Sequence, residues 1–82
     1  MNKILVEVYV PAIGRTYDML IPCDAKVFEL LPLISGVVEK LANGLFVAND
    51  TILCNGNTGT IFNKNMSVID MELKNGSRLM LL

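Results

Sequence analysis

"KNGSRLMLL", Lys74 to Leu82, closes the sequence with a turn followed by an apolar run that stops at the last residue. Asn75-Gly76 supplies the residue types that tolerate the backbone angles of a tight turn. Beyond it, Leu79 and Leu81 alternate with Arg78, Met80 and Leu82, the period-two pattern of a strand that turns one face to a core. So apolar a strand suits the middle of a sheet, and it needs a partner of the same kind.

That partner stands at the other end of the sequence. In "KILVEVYV", Ile4, Val6, Val8 and Val10 alternate with Lys3, Leu5, Glu7 and Tyr9. Glu7 and the lack of a small-residue cleavage site separate this stretch from a secretory signal, so it reads as a strand. "PAIG", Pro11 to Gly14, interrupts it as a hairpin loop, because Pro11 presets its own backbone angle and Gly14 permits a positive one. The return strand is "RTYDMLIP", with Tyr17, Met19 and Ile21 inward, Thr16, Asp18 and Leu20 outward, and Pro22 withdrawing a ladder donor at its end.

A helix is expected next, with Asp24 as its N-cap. Val27, Leu30, Leu31, Ile34, Val37, Val38 and Leu41 recur at steps of three and four and define one apolar stripe. Pro32 fits only if the helix begins near Val27 or Phe28, and Asn43-Gly44 is a C-terminal stop. "TILCNG" then reads as a short strand, Thr60 to Phe62 as a possible second one, and Val68 to Met71 as a single helical turn. With the first and last strands side by side at the sheet centre, the sequence predicts an α+β fold. It is a β-grasp, a mixed sheet of four to five strands with one main helix on one face, formed by residues 1–82 as one domain.

Composition narrows the functions open to such a domain. The 82 residues are 52% hydrophobic with a formal net charge of -1, and the mean hydropathy is +0.50. A domain this small has a thin core, so part of that apolar content is expected to stay uncovered. The charge balance and the absence of a basic run argue against nucleic acid as a partner. No apolar run approaches the roughly 20 residues that span a bilayer, so membrane insertion is not expected and a cytoplasmic location is. Cys23 and Cys54 lack CxxC spacing and read as free packing thiols, and Asn49 and Asn65 stand in short glycosylation-like patterns of the kind that arise by chance.

The residues also carry a resemblance. "TILCNG" followed by "SVIDMELKNGSRLMLL" resembles the second half of ubiquitin-like domains. "VPAIGRTYDMLIP" followed by "VFELLPLI" is similar to the YukD/EsaB family, small ubiquitin-like proteins of the WXG100, or type VII, secretion system. The matching features are Tyr17-Asp18 leading to Ile21-Pro22, then Val27 with Glu29-Leu30-Leu31-Pro32, and the closing Asn75-Gly76-Ser77-Arg78-Leu79. The resemblance spans almost the whole chain. The asparagine-rich "NGNTGTIFNKN" departs from it where a tighter turn is usual. It implies a non-catalytic module whose partners are proteins, among them cytosolic domains of a bacterial type VII machine, with a homodimer as a further possibility and no cofactor.

Chemistry by side chains finds little support. The sequence has no histidine. Its carboxylates, Glu7, Asp18, Asp24, Glu29, Glu39, Asp50, Asp70 and Glu72, form no pair suited to acid and base work. Two cysteines cannot ligate a two-iron cluster that takes four thiolates. Cys54 on a strand has no base or helix N-terminus to activate it. "NGNTG" lacks the lysine and following helix of a phosphate loop.

Two classes of function therefore remain. One is a protein-interaction module; the other is a ubiquitin-like carrier or modifier activated at its C-terminus. Leu81-Leu82 at the end of a strand are too bulky for the slim Gly-Gly tail such activation uses, which favours the first. Alternation turns Leu5, Tyr9, Leu20, Leu53, Met80 and Leu82 away from the helix, framed by Glu7, Asp18 and Arg78. These six residues are the expected protein-interaction patch, weighed against the common occurrence of single exposed apolar residues. No catalytic, metal or cofactor-binding residue is expected.

Overall fold

The computed structural model describes residues 2–82. Strand β1 (Lys3–Val10) turns through Pro11 to Gly14 into β2 (Arg15–Pro22); helix α1 (Val27–Ala42), β3 (Leu53–Asn55) and β4 (Ser77–Leu81) follow. The turn is closed by Ile13 N–H donating to the Val10 carbonyl at 3.2 Å and Gly14 N–H to that of Pro11 at 3.2 Å. Gly14 adopts a φ of 61°, which glycine reaches without a Cβ penalty.

The sheet has four strands in the order β2-β1-β4-β3. β1 pairs antiparallel with β2 and parallel with β4, with Val8 beside Leu79. A parallel neighbour demands a long crossover, and the segment carrying α1 provides it. The expected central position of the first and last strands is therefore observed. Val6, Val8, Val10, Met19, Ile21, Leu79 and Leu81 are buried on one sheet face and form a single core with Val27, Leu30, Leu31, Ile34 and Val38 of the helix.

The helix differs from the sequence reading in two respects. Its N-cap is Lys26, not Asp24, which is exposed. The first amides need no side-chain oxygen from Asp24, because Val27 N–H donates to the Met66 carbonyl at 2.8 Å and Phe28 N–H to that of Lys64 at 3.1 Å. Glu29 Oε1 accepts from Lys26 N–H at 3.1 Å. The second difference is one of rotation. Val37 and Leu41 belong to the apolar stripe but are exposed, as are Phe28 and Leu33, while Ser35 and Ala42 are buried. The apolar arc is wider than the arc the sheet covers. Asn43 ends the helix in the left-handed region with a φ of 51°, as its position before Gly44 foretold.

Thr60 to Phe62 forms no strand. It contributes one bridge, Ile61 to Cys54, with Phe62 N–H donating to the Leu53 carbonyl at 3.0 Å. Around Val68 to Met71 the expected single turn is present, with Met71 N–H donating to the Ser67 carbonyl at 3.0 Å. Ser67 and Asp70 cap it reciprocally, at 3.0 and 3.1 Å. Among the described residues no helix is long and apolar enough to cross a membrane.

Candidate protein-interaction face

The side of the sheet away from α1 is laid out by register. Each strand sends alternate residues outward, so paired residues form rows across the sheet. The first row is Leu20 beside Leu5. The second is Asp18, Glu7 and Arg78, and the third Thr16, Tyr9, Met80 and Cys54. Beyond β4, Leu82 and Ile52 exchange backbone hydrogen bonds at 2.9 and 3.0 Å and extend the face by a fourth row.

Two apolar ends are thus divided by a charged row. Leu20 is 62% exposed and Leu5 45%, a large area for residues of this type to leave in water. Leu82, Tyr9 and Ile52 are also exposed, and Met80 is half-buried. In the charged row Arg78 Nε donates to Glu7 Oε2 at 3.0 Å. A shallow depression of about 330 Å³ lies over this ion pair and is lined by Glu7, Tyr9, Thr16, Gly56 and Arg78. It combines an aromatic ring, a hydroxyl and an ion pair, the mixture of anchor and polar frame that protein interfaces use.

Five of the six residues expected on this face are there: Leu5, Tyr9, Leu20, Met80 and Leu82. Leu53 is not. It is 1% exposed and pairs with Leu81, so it belongs to the core. Residues directly opposite on paired strands share a face, and Leu81 points at the helix. The neighbour of Met80 is Cys54, and that of Leu82 is Ile52, which takes the place expected for Leu53. The signal that could have found Ile52 is the alternation in "TILC", whose phase three strand residues do not fix.

Cys54 shares the outward phase of β3 but is wholly buried. Burial pushes its thiol above the ordinary cysteine range, the opposite of what a nucleophile needs. Gly56 holds the loop after β3 against β4: a Cβ there would sit 2.9 Å from the backbone carbon and Cβ of Arg78. Its N–H donates to the Arg78 carbonyl at 2.8 Å. Asn55 Oδ1 accepts from the Asn57 and Thr58 amides and shapes the rest of that loop.

A mixed four-stranded sheet with a parallel central pair and one helix across it defines the ubiquitin-like β-grasp fold, and this chain has it. No protein-family model and no curated protein matches the sequence. Among solved structures, the EccD5 ubiquitin-like domain of Mycobacterium xenopi superimposes with a TM-score of 0.74 at 19% identity, over 100% of this chain and 94% of that one. The ubiquitin-like domain of Plasmodium falciparum Dsk2 gives 0.75 at 18% identity, over 98% and 96%. A chain of the MycP5-free ESX-5 inner membrane complex gives 0.74 at 19% identity, with 100% of this chain matching 21% of that one. At these identities the likeness is one of fold.

Proposed function

We propose that this protein is a non-catalytic interaction module that works in the cytoplasm as a ubiquitin-like accessory component of type VII secretion, as in the YukD/EsaB family. The observation that carries the reading is the outer sheet face: Leu5 and Leu20 at one end and Tyr9, Met80, Leu82 and Ile52 at the other, either side of the Glu7–Arg78 pair. Apolar residues framed by charge across neighbouring strands suit a docked protein surface. Support from outside the chain comes from the likeness to the EccD5 ubiquitin-like domain and to part of an ESX-5 inner membrane complex chain. The partner in this reading is a cytosolic domain of such a complex.

The experiment is capture of separately purified cytosolic domains of a type VII inner membrane complex on the immobilised protein. Retention of one of them, weakened by Leu20→Ser with Met80→Ser, is the expected result. Failure to retain any of them contradicts the proposal.

A further inference from the structure

Helix α1 carries a second uncovered surface, on the side of the molecule opposite the outer sheet face. Leu33 is 55% exposed and Val37 40%. Between them lies Gly36, exposed and in the middle of a 16-residue helix. Glycine weakens a helix interior relative to alanine, so its presence wants a reason. None is found among the described residues: a Cβ built on Gly36 meets no heavy atom within 4 Å, and its φ is not positive. What a helical glycine permits is the close approach of another backbone.

The spacing of the neighbouring residues says which backbone. Glu29, Leu33, Gly36 and Lys40 follow one another at steps of four, three and four, so they lie along one line of the helix. That line is complementary to itself when reversed. If a second copy of α1 is laid antiparallel across it about a two-fold axis between Ser35 and Ile34, Glu29 meets Lys40 of the second copy at each end. Leu33 meets Gly36 of the second copy twice at the centre, a large side chain against a notch. Val37 flanks Leu33 of the second copy and closes the apolar centre. A two-fold interface must satisfy this reciprocity, with each residue both giving and receiving the same contact.

We infer that the exposed face of α1 is the self-association surface of this protein, forming a two-fold antiparallel helix pair with Gly36 as its point of closest approach. The pairing leaves both outer sheet faces free and turned away from each other, so a dimer presents two docking faces at once.

Sedimentation over a concentration series up to about 1 mM tests this with the parent and three variants. The parent is expected to dimerise reversibly. Gly36→Arg puts a long side chain into the notch and is expected to raise the dimer dissociation constant at least about tenfold, while its melting temperature stays level or rises because the glycine is gone. Lys40→Glu sets like charges opposite Glu29 and is expected to weaken the dimer as well. Glu29→Lys combined with Lys40→Glu restores the attraction and is expected to recover dimerisation relative to Lys40→Glu alone. A parent that stays monomeric throughout overturns the inference, as does Gly36→Arg dimerising as tightly as the parent. Should loss of the Glu29 bond to the Lys26 amide unfold the double variant, Gly36→Arg decides the matter by itself.

Discussion

Arg78 reaches across the parallel pair of central strands and donates through Nε to Glu7 Oε2 at 3.0 Å, with the two side chains 66% and 40% exposed. Water competes for both groups and salt screens them, so the bond adds little to folding. Arg78→Ala is expected to lower stability by no more than about 1 kcal/mol in a urea titration. A loss several times larger would mean that the pair holds β1 to β4. The pair frames the depression beside Tyr9.

Leu53 and Leu20 make a paired test of the sheet's two sides. Leu53, at 1% exposure opposite Leu81, is in the core. Leu53→Ala is expected to cost about 2 to 5 kcal/mol, removing buried surface and leaving a cavity. Leu20→Ser, on the solvent side, is expected to change stability by no more than about 0.5 kcal/mol. Thermal melts of the two variants rank them, and the reverse order would exchange the faces of the sheet.

Gly56 and Gly36 differ in what surrounds them. A methyl group at Gly56 would lie 2.9 Å from the backbone carbon of Arg78, too close for either strand to absorb without shifting. Gly56→Ala is expected to destabilise by about 1 to 3 kcal/mol. Gly36→Ala is expected to stabilise the helix by up to about 1 kcal/mol. Denaturant midpoints of both variants check the contrast.

Asp70 makes folding depend on pH at the acid end. The Ser67 amide donates to its carboxylate at 3.0 Å and, helped by the neighbouring Ser67 hydroxyl, holds the group below the usual aspartate range. The unfolded chain therefore binds the proton more readily than the folded one. The contribution is present in full above the ordinary aspartate pKa and is lost as pH falls through the lowered, folded value. The difference in melting temperature between the parent and Asp70→Asn should thus shrink as pH falls through and below the ordinary aspartate range. A constant difference over that range would show that the carboxylate is not held by Ser67.

The hairpin and the central pairing were legible because β1 and β2 each give eight residues of alternation, long enough to fix which side of every residue faces inward. The helix was legible for the same reason at its own period. Its rotation was not, since Val37 and Leu41 are as apolar as the buried Leu30 and only the width of the sheet decides between them. Lys26 replaced Asp24 as the cap because carbonyls of Met66 and Lys64, far along the chain, took the first amides. The face of Leu53 is not legible in the sequence, because β3 has three residues and its phase is set by Leu81 across the ladder. On the candidate face Leu5, Tyr9, Leu20 and Met80, on strands of five to eight residues, and Leu82 directly after β4 stand where alternation puts them, and Leu53 on the three-residue strand does not.

Whether the outer sheet face docks a protein is decided by titrating the captured secretion-complex domain into the parent and into Leu20→Ser with Met80→Ser, beside a melt of each. The double variant is expected to bind more weakly by about 1 to 3 kcal/mol, roughly five- to 150-fold, with little change in the melting temperature. Equal affinity of the two proteins for that domain would contradict it.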